Sequence, residues 1–251
     1  MYEVELEERR RALDFYEQAL EEDPNELEAA EPLIDLYLEE DEWERAVPLL
    51  EMVIDEYESA TEIDREELEA RYVQLARVYE DLQQDEQAIE EYWNAFDLNR
   101  NDVDVLLGLG RLLFEHEEHR DADDILSRLE TEHGADLETD DRLDLYYRLG
   151  KTKQHFDALG EAIGYFENAI ELEGYHRPTL EALVEVHEES HNWEEVVEYK
   201  RRLLEMEDED KVRFALLTDI GEICVDELGD TNRAIEAYRD ALEIKSESVA
   251  V

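Results

Sequence analysis

The chain has 251 residues, 43% of them hydrophobic, and its 24 Lys plus Arg against 75 Asp plus Glu give a net charge of −51. A surface this acidic excludes nucleic acid as a partner, because phosphate binding needs a basic face, and it is repelled by anionic membrane surfaces. Disorder, the usual consequence of so much charge, is set aside because apolar residues recur at helical spacing almost from end to end.

Four prolines and nine glycines leave little room for loops or strands. Residues 1–24 predict a lone helix, followed by helix–turn–helix units at about 27–60, 69–102, 103–136, 143–176, 177–210 and 214–248. The register comes from a small residue at one point of each second helix: Ala12, Ala46, Ala88, Ala122, Ala162, Val196 and Ala234, spaced by 34, 42, 34, 40, 34 and 38 residues. Four residues after each marker stands a large one (Tyr16, Leu50, Tyr92, Leu126, Phe166, Lys200, Tyr238), and three further on comes Ala19, Val53, Ala95, Leu129, Ala169, Leu203 or Ala241. An i, i+4, i+7 pattern is one face of a helix. The extra residues lie between units, at Tyr57 to Glu66, Glu132 to Thr139 and Glu205 to Lys211, as acidic stretches that extend helices or lengthen turns. Pro178 stands near the first position of a helix, where proline is best tolerated. Gly134 and Gly174 follow predicted helices, as C-terminal caps do. The last unit has one extra residue in its turn, Leu228-Gly229-Asp230.

A 34-residue helical pair with these alternating small and large positions resembles the tetratricopeptide repeat. That family's first helix carries a Leu-Gly pair and then a Tyr, matched here by Leu109-Gly110, Leu149-Gly150, Ile220-Gly221, and Leu75-Ala76 with Tyr79. An aromatic closes the turn at Trp43 and Trp193, and the proline after the second helix is present in Glu22-Asp23-Pro24-Asn25. The resemblance covers nearly the whole chain. It implies an all-α, right-handed superhelical solenoid over residues 1–251, because neither helix of a unit buries its apolar stripe without a neighbour. It also implies a non-enzymatic scaffold that binds a protein or peptide.

In such arrays the first helices line a concave groove, and the ninth position of each unit points into it. Here that position is Asp35, Arg77, Arg111, Lys151, Glu185 and Glu222, so three consecutive basic residues share a row. Arg148 stands beside Lys151, and neighbouring groove positions carry Val73, Leu107, Phe114, Tyr147 and Gln154. Arg forks and a Lys along a groove suit the carboxylates of a peptide. The alternative is that these cations pair within the chain with Glu80, Asp81, Glu115 or Asp144. The Asn positions of the family's chaperone-tail clamp are missing, so that specificity does not carry over.

His187-Glu188-Glu189-Ser190-His191 matches H-E-x-x-H, the zinc-peptidase helix signature. In register, however, His187 takes the Tyr position of a first helix and His191 falls in the turn, so a zinc hydrolase is only a remote alternative. No phosphate loop, Ser-His-Asp arrangement or cofactor motif is present, and no catalytic residue, metal ligand or cofactor is expected. Cys224, the only cysteine, permits no internal disulfide. No run of about eighteen apolar residues spans a membrane, and MYEVELEERRR lacks the apolar core of a signal peptide, which points to the cytoplasm. The ends lack the polar caps of a finished array, so the chain also reads as a segment of a longer one, contacting mainly its own continuation. With five Lys against nineteen Arg, the composition is similar to that of proteins from high-salt cytoplasms. A melting temperature that rises across a KCl series is the expected signature of relieved self-repulsion, and a flat or falling one would count against it.

Overall fold

The computed structural model describes residues 2–24, 26–60 and 64–249. Within that range the side chains of 2–8, 10 and 245–249 lie outside the description. Among the described residues the chain forms thirteen helices and no strand. Two compact units, Met1–Asp121 and Ala122–Val251, divide inside the seventh helix.

The first unit begins with the lone helix α1 (Tyr2–Glu22). It continues with the pairs α2 (Leu27–Glu39) and α3 (Trp43–Ser59), then α4 (Arg65–Asp81) and α5 (Asp85–Leu98), and closes with α6 (Val103–Glu115). Each of these helices packs on the next. The second unit holds most of α7 (His119–His133), then α8 (Thr139–His155), α9 (Leu159–Leu172), α10 (Arg177–Glu189), α11 (Trp193–Glu205), α12 (Asp210–Asp226) and α13 (Thr231–Val249). From α8 onward each packs on its successor, and α8 also meets α10.

Six of the small markers are buried: Ala46, Ala88, Ala122, Ala162, Val196 and Ala234. Ala12, on α1, is half-buried. Leu33, Leu50, Leu75, Leu109 and Leu113 fill the first unit and Leu129, Leu145, Leu149 and Phe166 the second, all fully buried. Side chains of this size contribute about 1.5–3 kcal/mol each. The glycines of the Leu-Gly pairs act through space. A Cβ on Gly150 would lie 2.3 Å from the Phe166 ring, and one on Gly221 would lie 2.6 Å from Tyr238. Helix pairs in these repeats therefore cross with the ring of the second helix against the bare backbone of the first.

The extra residues add helix as well as turn. The first helices α4, α8 and α12 start at 65, 139 and 210, one turn before the expected unit starts at 69, 143 and 214. Asp64 caps α4 by accepting from the Glu67 N–H, and Asp102 caps α6 by accepting from Val105. Pro178 lies in the first turn of α10, as expected.

The caps expected at Gly134 and Gly174 differ from the observed ones. The only positive-φ glycine described is Gly229, while Asp41, Gln83, Glu117, Asp157 and His191 all adopt φ between 56° and 60°. Each stands five residues before a small marker. In the second pair the Gln84 N–H reaches back to the Tyr79 carbonyl at 2.8 Å and the Gln83 N–H to Glu80 at 2.9 Å. The same two bonds recur at Glu118 to Leu113 and Glu117 to Phe114, at Ala158 to Lys153 and Asp157 to Gln154, and at Asn192 to His187 and His191 to Glu188. This is the Schellman ending, built here on side chains where glycine is the ordinary choice.

Candidate functional site

In the first unit an open groove of about 1030 Å³ lies among α2, α4 and α6. Its apolar lining includes Leu38, Trp43, Val73, Val78 and Leu98. Around them stand six carboxylates (Glu66, Glu67, Glu69, Asp81, Asp102, Asp104) and three guanidinia (Arg65, Arg71, Arg77). Val73 is buried in the lining and Arg77 stands at its exposed edge.

Every candidate cation is held by an acid of its own unit. Arg77 donates to Asp104 at 2.8 Å, with both side chains more than half exposed. Arg111 reaches back to Glu80 at 2.5 Å and to Glu115 at 3.3 Å. In the second unit Arg148 donates to Asp144 at 2.6 Å, and Lys151 crosses to Glu185 on α10 at 3.0 Å. Lys151 also donates to Gln154 at 3.1 Å, and the Gln154 amide donates in turn to Glu189 at 3.2 Å. The intrachain pairing with Glu80, Glu115 and Asp144 is thus present, with Asp104 and Glu185 in addition. Exposed pairs of this kind contribute at most about 1 kcal/mol each.

The apolar candidates are distributed in the same way. Leu107 and Phe114 are half-buried on α6, where neither lines the groove. Tyr147 lies on α8, its ring centroid 6.3 Å from Phe166 and 5.9 Å edge-on from His176. The structure therefore places Val73 and Arg77 together at one groove, Leu107, Arg111 and Phe114 beside it on α6, and Tyr147, Arg148, Lys151 and Gln154 on α8 of the other unit.

The H-E-x-x-H histidines serve the fold. His187 is buried and stacks on Tyr199 at 5.5 Å, and Asn192 approaches its Nδ1 at 3.3 Å. Burial pushes its pKa below the ordinary histidine value, although Glu195 and Glu167 pull the other way. His191 occupies the left-handed corner of the turn beside Trp193. Among the described residues no group of three or more His, Cys, Asp or Glu is arranged to hold a metal ion. No helix of the described residues is long and apolar enough to cross a membrane.

Sequence reasoning missed Glu69, which is nine-tenths buried and lines the groove. Burial pushes its carboxyl above the usual range, opposed by a hydrogen bond from Asn99 and reinforced by the charges of Asp102 and Glu66. The signal was present: Glu69 opens the row Glu69, Tyr72, Val73, Ala76, whose other members are buried. Also missed were the tyrosine braces of the first unit. Tyr37 donates to Glu17, Tyr57 to Glu31 and Tyr79 to Glu51 at 2.8–2.9 Å, and Tyr72 donates to Glu58 at 2.5 Å. Each joins one helix to the preceding one.

Comparison with known proteins agrees with this architecture. A family model described as tetratricopeptide repeat matches residues 4–58, and a second of that description matches 70–102 and 215–248. No curated protein matches the sequence. Among solved structures, the MamA protein is 18% identical with a TM-score of 0.57, over 72% of this chain and 94% of its own. YrrB, described as a TPR protein with an unusual peptide-binding site, is 21% identical with a TM-score of 0.54, over 71% and 85%. PilF of Pseudomonas aeruginosa is 16% identical with a TM-score of 0.53, over 97% and 99%. At these identities the solved structures establish the fold. The family models, with the small and large positions of the helical pairs, identify tetratricopeptide repeats in this chain, and its fold is all-α.

Proposed function

We propose that this chain is a non-enzymatic scaffold that holds a peptide or protein segment against its first helices. The observation that carries the reading is the groove of the first unit. It is open to solvent, offers Leu38, Trp43 and Val73 as apolar contacts, and is ringed by charged groups. That combination fixes a segment by side-chain burial and its orientation by charge. Arg77 at the rim and, in the second unit, Tyr147, Arg148, Lys151 and Gln154 are the further candidate contacts. The Arg77–Asp104 pair is exposed and weak, so a partner group exchanges with either member at little cost.

The test places a photo-crosslinking amino acid at Ala70, an exposed residue lining the groove, or at Glu90, an exposed residue on α5. Capture of a partner through position 70 and not through position 90 supports the groove. Capture through position 90 alone, or equally through both, refutes it. A triple change of Arg77, Arg111 and Lys151 to Glu reports on the cations: a partner retained as well as by the wild type removes them from the site.

A further inference from the structure

The groove of the first unit is unbalanced in charge. Six carboxylates line it against three guanidinia, and two of those guanidinia are already engaged. Arg71 is held by Glu67 at 2.8 Å and Glu31 at 3.6 Å, and Arg77 by Asp104 at 2.8 Å. Glu69 differs from the other acids. It is nine-tenths buried, Asn99 supplies its hydrogen bond, and among the described residues no ion pair reaches it. A buried carboxylate beside the like charges of Asp102 and Glu66 is costly to the fold without a counter-cation. The same carboxylate, at a groove with Trp43 and Val73 in its lining, gives an incoming cation a stronger interaction than any surface acid.

Resting on the scaffold reading above, we propose that the occupant of this groove is a basic peptide segment, one Lys or Arg of which pairs with Glu69 while an adjacent apolar residue packs on Trp43 and Val73. The assignment runs opposite to the carboxylate-binding role that the basic row suggests. The row's cations are already bonded to acids, whereas Glu69 is the buried acid of the groove and has an amide hydrogen bond but no counter-cation among the described residues. The remaining acids around the groove attract such a segment and repel acidic ones.

The experiment uses three fluorescein-labelled peptides, each acetylated and amidated, built on Gly-Leu-Lys-Leu-Gly, Gly-Leu-Ser-Leu-Gly and Gly-Leu-Glu-Leu-Gly. Anisotropy titrations run in 1 M KCl, where the screening length of about 3 Å suppresses attraction to the acidic surface at large. The lysine peptide is expected to bind the full chain in preference to the other two. Glu69→Gln is expected to weaken it about tenfold, and Glu90→Gln, an exposed acid away from the groove, to leave it unchanged. Glu69→Gln is also expected to raise the melting temperature, because it removes a buried charge; a purely structural Glu69 would not combine a stabilised fold with weakened binding. Equal affinity of wild type and Glu69→Gln overturns the proposal, as does failure of the lysine peptide to bind. Preference for the serine or glutamate peptide, lost on Trp43→Ala, overturns the basic occupant while leaving the groove as a docking site. Crosslinking at position 70 decides the scaffold reading separately.

Discussion

Lys200 stands where the other repeats place a large apolar side chain, and replacing it with Met tests what that position requires. The residue is nine-tenths buried on α11, with its ammonium 3.0 Å from Glu188 on α10 and bonded to Asp219 on α12. Burial opposes the charge, and the two carboxylates more than offset it, leaving the ammonium pKa above its ordinary value. Both acids keep about two-fifths of their side chains exposed, so removing the ammonium lets them rehydrate. Two such half-exposed pairs contribute up to about 1 kcal/mol each. A methionine in the same space gains about 1.5–3 kcal/mol from apolar burial and avoids desolvating an ammonium. Lys200→Met is therefore expected to stabilise the chain by about 1 kcal/mol, whereas Lys200→Ala, which leaves a void, is expected to be about 2–5 kcal/mol less stable than the Met variant. Urea unfolding at 0.15 and 1 M KCl measures both, and the advantage of Met grows at the higher salt as the ion pairs are screened. A Met variant less stable than wild type by more than about 1 kcal/mol would refute the reasoning.

Three further predictions concern the backbone and the tyrosines. Gly150→Ala drives a methyl into the Phe166 ring and is expected to cost about 1–3 kcal/mol. Gly164→Ala, in α9 with nothing within 4 Å of the added carbon, is expected to gain about 0.5–1 kcal/mol; thermal melts of the two variants should move in opposite directions. Gln83→Gly and Glu117→Gly relieve side chains held at φ 58° and 60°. Each is expected to stabilise by about 0.5–1 kcal/mol, the left-handed penalty less the entropy of glycine, and any loss of stability counts against the strain. Burial and the bonds to Glu17 and Glu51 push the Tyr37 and Tyr79 hydroxyls up to about 12. Because the folded values are raised, their contribution is fully present below about pH 10, the unfolded value, and is lost as pH rises through about 12. Denaturant midpoints should hold to pH 10 and then fall, more shallowly in a Tyr37→Phe/Tyr79→Phe variant.

The repeat was legible because small and large residues recur at fixed spacing, and the packing that follows, Gly150 against Phe166 or Ala88 beside Tyr92, depends on size alone. The turn endings were not legible. A glycine signals a left-handed corner, and this chain places Gln83, Glu117 and His191 there while leaving Gly134 and Gly174 out of that conformation. The added turns at the starts of α4, α8 and α12 were half-legible, since acidic stretches read equally well as helix or loop. At the candidate site the basic row could be read from register. Its consequence could not, because whether Arg77 faces a partner or Asp104 depends on the side chain that α6, two helices on, brings within 2.8 Å. Glu69 was overlooked for a related reason: in so acidic a chain one more Glu draws no notice by its type, and only its place in the buried row with Tyr72, Val73 and Ala76 marks it.

The tyrosine braces carry a further meaning for how the first unit responds to its surroundings. A phenol meeting a carboxylate needs no second formal charge, so added ions weaken it little. The guanidinium contacts at the rim have no such protection. Tyr37, Tyr57, Tyr72 and Tyr79 thus act as rivets along α1 to α4, and the exposed Arg77–Asp104 contact as a latch. As ionic strength varies, the rivets keep the helices in register and the latch loosens, so the groove mouth adapts while its frame stays fixed.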